Sequence, residues 1–168
     1  MKTNNNANQG KNANSGNTET KARLIAERLS EKYKDRFELW DVLFEKTGAL
    51  WYLRVYFTPV KGAVLDSDAY NTVTNELNNA FDKEDFIQYV DILEVGSAGG
   101  DTILRTPEHF IKCIGQVVCA KIRGEKGKTS EIKGALAEYN NDNITVGTEI
   151  IKLKDCLKVL LETQENII

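Results

Sequence analysis

The residues best spaced for chemistry in this sequence are Gly124-Glu125-Lys126-Gly127-Lys128-Thr129, which end like a phosphate-binding loop. Such a loop also needs a glycine at position 122 and a helix after the threonine. The chain has Ile122, and Glu131-Ile132-Lys133-Gly134 reads as strand. The segment is therefore read as a charged hairpin turn whose Lys126 and Lys128 either meet RNA phosphate or stay solvated. His109 is the single histidine. Glu108 is its neighbour in sequence, but adjacent helical residues do not face each other, and no nucleophile motif accompanies it. A capping or packing role is favoured over general-base catalysis. Gly96-Ser97-Ala98-Gly99-Gly100 could cradle an anion in backbone N–H groups, although a flexible strand exit is the plainer reading. Glu38, Asp41 and Glu94 form either a solvated sheet face or an acidic patch for a basic protein. Tyr52, Arg54 and Tyr56 alternate on a strand and could stack RNA bases, but cover for a helix is favoured.

Cys113, Cys119 and Cys156 are odd in number and contain no CxxC pair. Neither a disulfide framework nor a zinc site is expected, and reduced thiols fit a cytoplasmic location. No cofactor, metal or catalytic residue is expected. Hydrophobic residues make up 41% of the 168 and charged residues 28%, a globular balance. No run approaches a membrane span. The net charge of -3 is uneven: residues 1–111 are acidic, whereas residues 112–158 are mildly basic. Bulk charge thus does not favour nucleic acid, but the second half could touch it locally.

These residues must be positioned by a small set of elements. Residues 1–18 are Asn-rich, lack large apolar side chains beyond Met1, and read as a disordered tail. Ala22, Ile25, Ala26, Leu29 and Tyr33 mark a helix over Glu19 to Lys34, with Thr18 as N-cap. Trp40, Val42 and Phe44 share a face of one strand. Trp51, Leu53, Val55 and Phe57 share a face of the next. Asp66 caps a second helix, stapled by Leu65 and Tyr70, that buries Val73, Leu77 and Phe81. A third strand is expected over about Gln88 to Val95. Thr106-Pro107 reads as N-cap and first residue of a short helix. Four or five short strands from Gly115 onward suggest a small barrel, with a bend or bulge at Gly134.

Trp51-Tyr52-Leu53-Arg54-Val55-Tyr56-Phe57, Gly62, Leu65-Asp66 and the following helix resemble the N-terminal domain of the ribosome maturation factor RimP family. The run from Leu93-Glu94-Val95-Gly96-Ser97 through Asp101-Thr102-Ile103-Leu104-Arg105 to Thr106-Pro107-Glu108-His109-Phe110 resembles that family's interdomain signature. It departs from the signature at Gly96, Ala98, Thr102 and Ile103. Gly115 to Val118, Ile132 to Leu136 and Ile151 to Lys158 are similar to its Sm-like C-terminal domain.

The expected fold is α+β. An N-terminal α-β-β-α-β layer, a three-stranded sheet covered by two helices, occupies 19–100. A connector with a short helix covers 101–114, and a small Sm-like or SH3-like β-barrel covers 115–168. The resemblance implies a non-enzymatic factor for assembly of the small ribosomal subunit. Its implied partners are the immature small subunit, the twelfth small-subunit ribosomal protein, bound through the barrel, and nearby ribosomal RNA. A monomer is expected, with no membrane partner. An Sm-like RNA-binding regulator outside ribosome assembly is the alternative. Partner-binding candidates are Glu94, Ser97, Gly99, Asp101 and Arg105 in the signature, Lys126 and Lys128 at the turn, and Glu138 and Asp142 in the barrel. The two carboxylates in the barrel would pair with basic side chains of an extended partner segment.

Overall fold

The computed structural model describes residues 15–60, 63, 66–98 and 102–162. The expectations for the tail up to Asn14, for the Leu65 staple, and for Gly99 and Asp101 lie outside these residues.

The first helix, α1, spans Ser15–Lys32, which corrects the expected start. Thr18 is not an N-cap but an interior residue, 1% exposed, on the same face as buried Ala22 and Ala26. Spacing of four residues carries the buried stripe one turn further back than the apolar residues alone reveal. Strands β1 (Phe37–Thr47) and β2 (Leu50–Pro59) form an antiparallel hairpin. Its turn uses Gly48 at φ +63°, the left-handed region that glycine enters without a Cβ clash. Helix α2 (Ser67–Phe81) then crosses back, and β3 (Ile92–Ser97) pairs parallel to β2. A parallel neighbour requires such a crossover. The sheet order is β1-β2-β3. Asp66 caps α2 as expected, accepting from the Ala69 N–H at 2.8 Å.

Ala22 and Ala26 from α1, Val73, Leu77 and Phe81 from α2, and Val42, Phe44, Trp51, Leu53, Val55, Phe57 and Val95 from the sheet share one core. Trp40 does not join it. The β1–β2 register slips between Leu39 and Asp41, and Leu39 packs against the core instead. A bulge of one residue exchanges the two faces of a strand, which no alternation pattern announces. The third strand also starts later than expected, because Asp85–Tyr89 winds into a 3-10 turn that buries Phe86.

The chain divides between Ala98 and Gly99 into two compact units. In the second, helix α3 (Pro107–Lys112) is followed by strands β4 (Val117–Arg123), β5 (Thr129–Tyr139), β6 (Asn143–Val146), β7 (Glu149–Lys152) and β8 (Cys156–Leu161). They form one antiparallel sheet in the order β7-β6-β5-β4-β8. Among the described residues β7 and β8 do not pair, so the sheet is open where a closed barrel was expected. The outer edge of β8 is already occupied. Leu104 N–H donates to Val159 O at 2.9 Å, Leu161 N–H donates to Thr102 O at 2.8 Å, and Ile103 bridges Leu160. The segment read as a connector thus supplies an edge to this sheet, and its α3 buries Phe110, whose ring stacks on Tyr139 at 4.9 Å. The core is aliphatic: Val118, Ala120, Leu136, Ile144, Val146 and Val159.

No helix among the described residues is long and apolar enough to cross a membrane. The three cysteines are free, and burial pushes each thiol up, away from the thiolate that nucleophilic chemistry uses.

Candidate functional site

The sequence candidates fall into four places. The first is the sheet face opposite the helix-covered core. Register puts Tyr52 beside Glu45 and Ile92, Arg54 beside Leu43 and Glu94, and Tyr56 beside Gly96. Arg54 stands at the centre. Its Nε donates to Glu94 at 3.1 Å, it pairs with Glu45, and its guanidinium lies 4.5 Å from the Tyr52 ring centre. Burial works to lower the Arg54 pKa, but Glu94 and Glu45 outweigh it and hold the group raised. Tyr56 is raised by its own burial and by Glu94. A side chain at Gly96 would meet the Tyr56 ring at 3.2 Å, so glycine here leaves that ring room to lie against the backbone. Neither described helix covers this face, contrary to the favoured reading of Tyr52, Arg54 and Tyr56. The opposite face holds the core that both helices cover.

Asp41 corrects a second expectation. It does not stand with Glu38 and Glu94 on a solvated face. It is 4% exposed and pairs with Arg23 of α1 at 2.8 Å. Arg23 also donates to Val42 O at 2.9 Å, Ser30 Oγ accepts from Leu39 N–H at 2.8 Å, and Glu19 accepts from Phe44 N–H at 3.2 Å. Three polar side chains along α1 thus satisfy the outer edge of β1, which would otherwise expose a row of unpaired backbone groups. Asp41 and Arg23 belong to this brace rather than to a binding patch.

The second place is the signature segment. Ser97 is exposed at the end of β3. Arg105 is exposed, and its backbone N–H donates to His109 Nδ1 at 3.0 Å. The Thr106 N–H does the same at 3.3 Å, while Thr106 Oγ1 accepts from the His109 N–H. The expected Thr106 cap and Pro107 first position are found, and they form a reciprocal capping box with histidine in the place of glutamate. Because Nδ1 accepts, the ring carries its proton on Nε2. His109 is 5% exposed and works as a cap, the role favoured for it on the sequence.

The third place is the turn between β4 and β5. Glu125–Gly127 winds a single 3-10 turn with Lys126 at φ +57°, and Thr129 enters a strand rather than a helix. The hairpin reading holds. The fourth is the far end of β5. Glu138 is exposed opposite Thr145, and Asp142 lies in the following turn, its N–H donating to Asn140 Oδ1 at 3.0 Å. Residues 129–137 of β5 separate Lys128 from Glu138, on the order of 30 Å of extended chain. These candidates therefore cannot form one site.

Sequence reading missed Arg23 and Glu45, which gain meaning only from tertiary contact and register. It also missed that Lys121 on β4 lies directly opposite Lys158 on β8. The basic tally of residues 112–158 was the available signal, but only strand pairing turns it into a surface. Among the described residues no group of three His, Cys, Asp or Glu side chains could hold a metal.

The strand Trp51 to Phe57, the helix that follows Asp66 and the strand carrying Leu93-Glu94-Val95 stand where the resemblance anticipates them. Residues 26–101 match the family model of the RimP N-terminal domain, and this match supports the RimP family of ribosome maturation factors.

Proposed function

We propose that this protein assists maturation of the small ribosomal subunit by binding, without catalysis, to the twelfth small-subunit ribosomal protein and nearby ribosomal RNA. The observation that carries this reading is the RimP N-terminal domain over residues 26–101. The second unit is read as the Sm-like module that contacts the ribosomal protein. Its five short antiparallel strands, the register slip between Leu136 and Glu138, and Gly134, where a Cβ would stand 3.2 Å from Gly147 N, suit a strongly bent sheet.

The partner-facing surface is read as the β7 side. Among the described residues no strand pairs with the outer edge of β7, and Ile150 on it is 74% exposed. Glu138, Thr145 and Ile150 share one rung. An extended basic segment could add there through its main chain, with carboxylates such as Glu138 and Asp142 steering it.

The test is co-sedimentation of the full chain with free small subunits, together with capture of the purified ribosomal protein. Binding to both is expected. Glu138→Lys with Asp142→Lys should weaken capture at low salt and matter less at high salt. Absence of binding to both would overturn the assembly reading. The minimal second unit for such work must include Thr102 to Leu104 and β8, since a 115–154 fragment lacks an edge and a strand.

A further inference from the structure

We propose that the outer face of β8, β4 and β5, together with the hairpin tip joining β4 to β5, is a docking surface for an RNA phosphate backbone carried by Arg123, Lys126, Lys128 and Lys158. This rests on the ribosome-maturation reading for its choice of polyanion, and it names a surface distinct from the β7 side.

Three observations converge on this end of the second sheet. First, register gathers the cations. Lys121 and Lys158 are direct cross-strand partners, and Arg123 is two residues beyond Lys121 on the same face of β4. Neighbouring strands lie about 4.8 Å apart and alternate residues about 7 Å apart. Lys126 and Lys128 sit just past Arg123 at the tip. The nearby carboxylates are fewer, and one of them, Glu131, is held by Lys121 at 2.9 Å.

Second, these cations are uncompensated. Arg23, Lys32, Lys34, Arg36 and Arg54 in the first unit all have carboxylate partners. Arg123, Lys126, Lys128 and Lys158 make no ion pair among the described residues. Lys21, Arg28 and Lys83 of the first unit also lack an ion pair among the described residues, so what sets the four apart is that register gathers them at one end of the sheet.

Third, this arrangement is locally unfavourable without an anion. Like charges placed directly across an antiparallel pair repel, and Glu131 on the other side of Lys121 offsets only part of this at the Lys121–Lys158 pair. Lys126 is the single non-glycine residue with positive φ among the described residues, where asparagine or glycine would cost less. The turn is closed by backbone bonds, Gly124 N–H to Lys128 O at 2.7 Å and Lys128 N–H to Glu125 O at 3.3 Å, so closure does not call for lysine at its tip. A polyanion relieves the repulsion and uses the strained lysine. Contacts of this kind read phosphate and carry no base specificity.

The experiment measures anisotropy of a labelled oligouridylate with the full chain as salt is raised from roughly 50 to 200 mM. Binding that falls steeply with salt is expected. Replacing Arg123, Lys126, Lys128 and Lys158 together by glutamine should weaken binding at least tenfold and flatten the salt slope by about 2 to 3, at ~0.7 per lost single-strand contact. The matched loss of Lys32, Lys34, Lys46 and Lys83 should change affinity less than twofold. Lys126→Gly separates structure from function: it should leave thermal stability unchanged or higher while weakening RNA binding.

An unchanged slope in the quadruple variant, or equal loss in the matched control, would overturn the proposal. So would preference for anionic vesicles or a polyglutamate peptide over RNA. If the wild type binds oligouridylate through these residues yet ignores small subunits, the function reading fails and this surface stands.

Discussion

The two units solve the same problem differently. Each contains an open sheet whose end strands would leave backbone groups unpaired. In the first, α1 lies along β1 and satisfies it with side chains, Ser30 to Leu39, Arg23 to Val42 and Glu19 to Phe44. In the second, Thr102 to Leu104 satisfies β8 with backbone, and among the described residues β7 is left bare. The interiors differ in the same sense. The first unit buries Phe37, Phe57 and Phe81 completely or nearly so, whereas the largest side chains buried to that degree in the second are Leu136 and Ile144. Of the large exposed apolar residues, Ile103, Ile111, Ile114, Val117, Ile150 and Leu157 belong to the second unit, and Leu24, Leu50 and Ile92 to the first. Side-chain braces and aromatic packing stabilise the first unit, although β3 too is an edge strand among the described residues. The second unit combines its bare edge with most of the large exposed apolar side chains, a surface suited to meeting a partner.

If the aromatic interior is what sets the first unit apart, Phe57→Ala should cost about 3 to 5 kcal/mol. Both tryptophans, Trp40 and Trp51, lie in the first unit, so their fluorescence follows its unfolding alone. The fluorescence midpoint in urea should fall sharply, while a circular dichroism phase from the second unit stays in place. A single transition that moves as a whole would erase the distinction between the units.

The side-chain brace is probed by Asp41→Ala. Removing a buried carboxylate that holds Arg23 should destabilise the first unit by about 2 kcal/mol, the scale for a charged hydrogen bond with a partly exposed partner. Thermal melts would check it. A cost near zero would mean that α1 is held by apolar contact alone.

On the second unit, Thr106→Ala removes one half of the capping box and should cost ~1 kcal/mol. Hydrogen exchange of the His109 amide should accelerate relative to amides in β5. Equal protection in both proteins would show the cap to be dispensable.

The smallest effect concerns the tie between α1 and α2. Glu76 accepts from the Tyr33 hydroxyl and pairs with Lys32 at 2.9 Å. The Tyr33 hydrogen bond, followed by Lys32, lowers its pKa below the ordinary 4.5. A carboxylate lowered on folding contributes stability above its unfolded pKa and loses it as pH falls through the folded value. Glu76→Gln should therefore be slightly less stable than the parent at neutral pH, with the difference vanishing in acid. A difference that grew toward low pH would reverse the sign.

Local signals survived folding where local physics decides. The Asp66 and Thr106 caps, the stripe of α1 and the alternation of β2 are all set within a few residues, and all were legible. The site was less so. Trp40 looked like a core residue because period two predicts one face, but the slip at Leu39 and Asp41 depends on how β1 meets β2. Asp41 looked solvated because Arg23 is eighteen residues away in sequence and arrives on another element. The barrel looked closed because strand number is readable from turns, whereas the occupant of an edge is not. The opposition of Lys121 and Lys158 required the register of two strands more than thirty residues apart. What the sequence hides here is pairing at a distance.

That hidden pairing has a consequence for how the molecule is made. Chain emerging in order presents α1, β1 and β2 as neighbours that can close on one another at once. In the second unit, Thr102 to Leu104 must wait for Val159 to Leu161, roughly 60 residues later, and β4 must wait for the same strand. Until that strand arrives, β4 has an unsatisfied edge of its own. The interval is a window in which the second unit is vulnerable to mispairing with other nascent strands, while the first can already be folded and bracing its own edge.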